Sequence, residues 1–560
     1  MWSKTKMQIP ASPNLSEPAP SEAGNARRPL LRFGPQTSWI DFFIAALAMA
    51  IYVLWIDHFR YQGLLGEDDL YRVLVGLLDG ARYGTYLASA SQYGKAFSFG
   101  YIAALYRFAD PRTLADPQRL IALINEIGFY AAAAGCFCFW LLAWLLYGLR
   151  SATVAVILFA LSPMMLELGT SGHQILPAFA FFAAGSFCLM FPVRGVRAVL
   201  LAFLGSLLLL AALVTRAEII LALPFVVLAR ADFRSFPRFL KCAAQRSIAP
   251  ALAVSAFLLL KRATVDSTPG TGRLGTFLEE FIRLKEIPVG VFVFTLSCGI
   301  VTTVVGLIAV LLMVRALSAA PSRSAQWSKL MHSAIGPLLL ILPALAFWIA
   351  NPRPGRHFIL CLAGVSLLAG WLIPRYLPAR PLQVYALAMG VVLANQALGA
   401  LTGPFILKYA PSKILALPGN IRHLPRGLPT GSSWSYHRAF EAEQSRSTAF
   451  AKTLQGACDQ KTLVLSLDAT QIFSNLYAAS TTWNAEKAAL NRFPILTAQI
   501  AGRTVMVLSE NEGWPRDAAA DALADPAFRD FKLVRDPNNL SIYDQAMIPP
   551  YRIAHLDCAP

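Results

Sequence analysis

Long apolar runs recur along this chain, at 39–57, 128–147, 153–170, 174–191, 198–214, 217–229, 248–260, 289–314, 334–350, 357–373 and 382–402. A helix rises 1.5 Å per residue, so about 20 apolar residues cross a hydrocarbon core about 30 Å thick. Composition agrees, with 56% of residues hydrophobic and only 14% charged. Soluble domains hold roughly 45–50% apolar and about 25% charged residues. A water-soluble fold of 560 residues cannot cover that much apolar surface, so lipid is the solvent for most of the chain. The expected fold class is an all-α polytopic membrane bundle of about 11 spans, followed by a small C-terminal α/β domain outside the membrane.

The stretch 198–229 decides the threading. As one helix it would measure about 48 Å, well beyond the hydrocarbon core. Thr215-Arg216-Ala217-Glu218 also puts two charges at its middle. Two short helices in a hairpin fit better. With that choice one face collects Arg27/Arg28/Arg32, Arg150, Arg194/Arg197, Arg230/Arg234/Arg238/Lys241/Arg246, Arg315/Arg323/Lys329 and Arg375/Arg380. The positive-inside rule makes that face cytoplasmic, which puts the N-terminus inside and the C-terminus outside the inner (cytoplasmic) membrane. The same distribution explains the net charge of +17 without nucleic acid, since no basic stripe interleaved with aromatics is present.

Residues 1–36 are polar and interrupted by Pro10, Pro13, Pro18, Pro20 and Pro29, as expected of a disordered cytoplasmic tail. The run 39–57 has no small-residue cleavage site after it and reads as a retained signal anchor. The transmembrane domain is expected over 37–404, with long outer segments at 58–127 and 261–288. In the first of these, Leu70, Leu74, Leu77 and Leu78 have the spacing of an interfacial helix. Residues 405–560 turn polar, with strand-like runs at Thr462–Leu467 and Arg503–Leu508 between helical stretches. They read as the extracytoplasmic α/β domain.

Acids and bases at the span ends meet on the expected outer face. They are Glu67/Asp68/Asp69, Glu167 and His173, Arg216 and Glu218, Arg262 and Asp266, and Arg353/Arg356/His357. Ionisable residues at membrane depth mark functional sites by default, while single ones at span ends also snorkel to the headgroups. Three adjacent acids after the first span repel one another unless a cation or solvent offsets them. Asp68 or Asp69 also suits the N-terminus of the helix expected from Leu70. A cap and a general base can be neighbouring residues, so both roles stay open.

These residues carry a resemblance. Asp68-Asp69-Leu70-Tyr71, Gly80-Ala81-Arg82-Tyr83-Gly84, Tyr93-Gly94 leading into 97–108, and Ser162-Pro163 leading to Ser171-Gly172-His173 follow the first span in order. Over about 38–402 the chain resembles the GT-C glycosyltransferases, membrane enzymes that take sugars from polyprenyl phosphates and include protein mannosyltransferases and aminoarabinose transferases. Arg353-Pro354-Gly355-Arg356-His357-Phe358 is similar to the family's arginine–aromatic segment, with His where Tyr is common. Many members carry a further acid where this chain has His173-Gln174-Ile175-Leu176, so a two-carboxylate or metal-bridged site is not implied; a divalent metal stays open without support and no cofactor is claimed.

The resemblance implies a hexosyl- or pentosyltransferase acting with inversion on the extracytoplasmic face. The donor would be a polyprenyl-phosphate sugar held against membrane lipid, and the acceptor a glycan, lipid or protein hydroxyl. Asp68 matches the first acid of the family's pair and is the expected base, with Asp69 and then Glu67 behind it. Arg216 and Arg356, assisted by His357, are candidates for the donor phosphate. His173, Glu218 and Arg353 complete the candidate set. Two other classes compete. One is a transporter or flippase for a lipid-linked sugar, the other a glycan polymerase or ligase using an undecaprenyl-diphosphate donor.

Cys136, Cys138, Cys188, Cys298 and Cys361 lie in apolar runs, and Cys242 in a basic loop. Cys458 and Cys558 alone share the expected outer domain and should be paired there. Peptide mapping without reductant, on protein exported to an oxidising compartment, should recover the two as one linked pair; two free thiols would count against both the bond and the topology.

Overall fold

The structure is a computed structural model that describes residues 39–60, 117–171, 175–231, 233, 235–265, 287–319, 325–349, 355–376, 380–409, 462–466, 495–500, 503–509 and 532–535. Of its two units, Met1–Thr37 lies outside these residues and Ser38–Pro560 holds all of them. The helices are α1 (Trp39–His58), α2 (Pro117–Tyr147), α3 (Leu149–Ala160), α4 (Pro163–Ser171), α5 (Ile175–Met190) and α6 (Val196–Thr215). They continue with α7 (Leu223–Leu228), α8 (Phe236–Val265), α9 (Ile287–Cys298), α10 (Ile300–Ala319), α11 (Ala325–Ile349), α12 (Ile359–Tyr376) and α13 (Pro381–Tyr409). Two 3₁₀ turns, Ala217–Ala222 and Gly355–Phe358, precede α7 and α12.

Among the described residues, seven helices are long and apolar enough to cross a membrane, or up to eight if the bent pair α3 and α4 is one span. Ile175–Met190, Ala217–Leu228 and Ser333–Phe347 are shorter apolar helices. The chain is an integral, multi-pass membrane protein.

α12 is the centre of the bundle. Every residue from Ile359 to Ile373 is buried, and it packs against α3, α10 and α11. Lipid tails are as apolar as leucine, so helices associate in membranes through close packing at small residues. A Cβ on Gly364 would meet the Pro337 carbonyl oxygen at 2.7 Å, and one on Gly370 the Ser151 carbonyl oxygen at 2.6 Å. A ladder of rings joins α2, α3, α5 and α7, through Phe139–Phe159 at 4.4 Å, Phe159–Phe179 at 5.0 Å, Phe179–Phe182 at 6.4 Å and Phe182–Phe225 at 6.1 Å.

Three apolar runs are broken rather than straight. Run 198–229 divides at Arg216, where its charges require it. Run 153–170 bends by 61° between α3 and α4. Pro163 disfavours helical backbone at Ser162 and supplies no N–H, and Ser162 Oγ caps the new helix by accepting from the Met165 N–H at 3.2 Å. Run 289–314 breaks at Gly299, whose φ of 85° lies in the left-handed region. α8 is longer than its apolar run, because the basic segment before 248 is also helical. Its start is set by Pro237 in the first turn, and the Phe239 N–H reaches the Ser235 carbonyl at 2.9 Å. At its other end it continues to Val265, so Arg262 is helical and Asp266 lies outside the described residues.

The two inner breaks are closed by neighbouring amides of α13. Asn395 Oδ1 accepts from the Val301 N–H at 2.8 Å, and Asn395 Nδ2 donates to Thr302 Oγ1 at 2.6 Å. Gln396 Nε2 donates to the Leu161 carbonyl at 3.4 Å, across the α3–α4 bend.

In the C-terminal part, β1 (Thr462–Ser466), β2 (Ile495–Ile500), β3 (Arg503–Ser509) and β4 (Lys532–Arg535) form a sheet in the order β2-β3-β1-β4. β1 runs parallel to β3 and β4, with Val464 opposite Val507 and Val534, and β2 pairs antiparallel with β3. Both expected strands are therefore present. The expected interfacial helix at 70–78, the helices between the strands and the Cys458–Cys558 pair lie outside the described residues.

Gly299→Ala must carry a side chain at positive φ, with its Cβ 2.6 Å from the Asn395 carboxamide carbon. It should lower the stability of the detergent-solubilised protein by about 1–3 kcal/mol. Gly390→Ala, where nothing lies within 4 Å, is the control. Equal thermal midpoints for the two variants would show that the break does not depend on glycine.

Candidate functional site

Arg216 ends α6 in extended conformation, with φ −148° and ψ 110°. Its N–H still bonds the Ala212 carbonyl at 2.9 Å, and its own carbonyl accepts from the Ile219 N–H at 3.1 Å. The chain thus turns directly into the 3₁₀ segment that carries Glu218, and Pro224 in the first turn of α7 restarts the helix. From the far side of the sequence, the Gly355–Phe358 turn delivers His357 at the head of α12. Phe358 anchors that turn; it is fully buried and packs 5.7 Å from Phe294 of α9. α11 packs against both 3₁₀ turns.

Glu218 joins the two segments. Its Oε1 accepts from Arg216 Nη2 at 2.7 Å, and its Oε2 lies 3.2 Å from His357 Nδ1. An ionised carboxylate only accepts, so His357 meets it with a protonated Nδ1. Arg216 is 4% exposed, His357 8% and Glu218 22%. Charges this deep are tolerated because they are paired and hydrogen-bonded. The chemistry offered is a buried guanidinium fork and an imidazole, which can bind an anion, beside a carboxylate that neutralises the fork.

The cluster lies at the end of the bundle reached by the C-terminal half of α1. Tyr52 of α1 donates to the Met165 carbonyl of α4 at 3.1 Å, and a Cβ on Gly169 would meet Ile56 at 2.5 Å. α4 in turn packs against the His357 turn and α9. Glu167 of α4 is half-buried, with its carbonyl accepting from Thr170 Oγ1 at 2.8 Å.

A second polar group sits at the opposite end, about 20 Å away along α1. The Asp41 carboxylate is buried and accepts from the Tyr385 hydroxyl, with Arg150 Nε at 3.9 Å. Thr153 Oγ1 donates to the Asp41 carbonyl at 3.0 Å. It pins α1, α3 and α13 together. Basic residues gather there, as Arg150, Arg375 and Arg380 all stand at helix termini of that end, and Arg375 lies over the Trp371 ring at 5.1 Å.

Of the residues expected from sequence, Arg216, Glu218 and His357 are brought together. Arg356 is in the same 3₁₀ turn as His357. Glu67, Asp68, Asp69, His173 and Arg353 lie outside the described residues, as do both cysteines of the expected disulfide. Sequence reasoning missed the pairing of Asp41 with Tyr385 and the role of Asn395-Gln396. The only signal for the latter was two adjacent amides inside an apolar run. No group of three or more His, Cys, Asp or Glu able to hold a metal ion is present among the described residues.

No protein-family model matches the sequence, and no curated protein matches it. Solved structures similar to the chain include ArnT from Cupriavidus metallidurans bound to undecaprenyl phosphate, at 11% identity and a TM-score of 0.47 over 81% of this chain and 88% of that one. The same protein in its apo state gives 12% identity and a TM-score of 0.42, over 77% of this chain and 82% of that one. The archaeal oligosaccharyltransferase AglB from Archaeoglobus fulgidus, in complex with an inhibitory peptide and a dolichol-phosphate, gives 11% identity and 0.39 over 79% and 64%.

Proposed function

We propose that this protein is a membrane glycosyltransferase that moves a sugar from a polyprenyl-phosphate donor to an acceptor hydroxyl on the extracytoplasmic face, with inversion. The observation that carries the reading is the assembly of Arg216, Glu218 and His357 from segments 139 residues apart, at a break in an apolar helix. A buried, permanently charged fork at the end of a lipid-facing bundle suits a ligand whose phosphate meets water while its tail stays in hydrocarbon. Basic residues crowding the opposite end support the orientation, with that end cytoplasmic and about eleven crossings in all.

In this mechanism the isoprenoid lies along apolar helix faces and its phosphate meets Arg216, with Arg356 and His357 beside it. Asp68 is the base, Asp69 and Glu67 its neighbours, and His173 and Arg353 further outer-face candidates. The base takes the acceptor's proton as its oxygen attacks the anomeric carbon, and the cations stabilise the phosphate as it leaves. The C-terminal sheet would belong to a domain over 405–560 on the same side as the site.

A second reading, a transporter for a lipid-linked sugar, is favoured by the breaks at Arg216, Ser162 and Gly299, since discontinuous helices surround transporter sites. The readings part on chemistry. In membranes supplied with labelled polyprenyl-phosphate sugars, the enzyme should convert donor into free carrier and glycosylated acceptor. Asp68→Asn should slow that conversion by about 10²–10⁴-fold without loss of protein. Translocation without conversion by the wild type would favour the transporter, and full activity in Asp68→Asn would reassign the base.

Arg216→Ala removes one partner of a buried ion pair, which commonly costs about 3–5 kcal/mol. Arg216→Lys is therefore the more informative variant, because it keeps the charge and loses the fork. Its donor KM should rise by about tenfold or more while folded protein is still recovered. Wild-type KM values in both Arg216→Lys and Arg356→Ala would remove the phosphate role from these arginines.

A further inference from the structure

Glu218 occupies the place where an anion would be most welcome. Its Oε1 is 2.7 Å from Arg216 Nη2 and its Oε2 is 3.2 Å from His357 Nδ1, so one carboxylate spans the two groups able to hold a phosphate. Of the three, Glu218 is the most exposed, at 22% against 4% and 8%. The acid is therefore the most accessible member of the cluster, and the cation the least. With His357 neutral, Arg216 and Glu218 cancel, and an incoming phosphate meets no net positive charge from this cluster.

Resting on the transfer reaction proposed above, we propose that Glu218 competes with the polyprenyl carrier for Arg216 and thereby drives release of the spent carrier. The charge change of the reaction gives the competition its direction. The donor is a phosphodiester with one negative charge. During transfer the acceptor oxygen bonds to the anomeric carbon and the bond from that carbon to the phosphate oxygen breaks. Its electron pair stays on the phosphate, and the acceptor's proton passes to the base carboxylate. The product is a phosphate monoester carrying about −1.5 to −2 at neutral pH. A fixed carboxylate a few ångströms away, in a site of low dielectric, repels this product more strongly than the donor. Glu218 thus tolerates the carrier with its sugar and disfavours it without.

An acid that only positioned Arg216 and His357 would have the opposite signature, since neutralising it would loosen both partners and weaken binding. The test measures binding of undecaprenyl phosphate, and of a synthetic undecaprenyl phosphodiester, to the full-length protein in lipid nanodiscs. Wild type, Glu218→Gln and Glu218→Asp are compared. Glu218→Gln should bind the monoester about tenfold more tightly than wild type, gain less for the diester, and show stronger inhibition by free carrier during turnover. Glu218→Asp, which keeps the charge, should stay near wild type. Glu218→Ala carries the same expectation as Glu218→Gln, so failure of one variant to fold leaves the other to decide. Weaker or unchanged monoester binding in the neutral variants, with wild type binding both lipids, overturns the competition and leaves the phosphate site standing. No binding of either lipid by wild type overturns the site and the competition together.

Discussion

Hydrocarbon offers nothing to a backbone N–H or C=O that has lost its helical partner. Each helix end leaves up to four such groups, and at membrane depth each unsatisfied one costs several kcal/mol. A bundle with straight spans avoids the problem, but this one interrupts its spans at Ser162, Arg216 and Gly299. Its architecture depends on how those interruptions are answered. Ser162 answers with its own hydroxyl, and Arg216 by passing at once into a 3₁₀ turn that keeps the ladder of carbonyls occupied. At Gly299 the answer comes from a distant helix, through Asn395.

The breaks also put chemistry where straight helices could not. An arginine in mid-helix would point wherever the helical period sent it. At the extended residue between α6 and the 3₁₀ turn, the guanidinium folds back to Glu218 two residues later, and the pair faces the head of α12. α12 is buried from Ile359 to Ile373, so the turn carrying His357 is fixed by the best-packed element of the bundle. The same rigidity explains how three polar side chains hold one arrangement with so little protein around them that is not apolar.

Much of this was legible in the sequence because it follows from charge and length. A run too long for the membrane and interrupted by Arg216 and Glu218 had to break there, and it does. Arg353 to Phe358, at the mouth of a span, marked the segment that brings His357 to the site. Other features left weaker traces. Gly299 stands in an uninterrupted apolar stretch, and only its backbone conformation makes it a break. Ser162-Pro163 lies inside a run that reads as one span, and its 61° bend comes from Pro163 and the Ser162 cap. Asp41 and Tyr385 are 344 residues apart, and no local pattern links a single acid at one span's start to a single phenol at another's. The basic stretch before 248 reads as a loop by charge, yet helix propensity and Pro237 at its start make it the first third of α8.

Asn395 and Gln396 belong to α13, the last helix among the described residues, while the breaks they close belong to α3–α4 and α9–α10. During synthesis the earlier spans enter the membrane with these polar backbone groups still waiting. The groups gain their partners only when α13 arrives, and only in one register, because a slide of one residue would pull both amides from their targets at once. α13 therefore acts as a keystone, closing joints left open by helices made long before it and making completion of the bundle conditional on its correct seating.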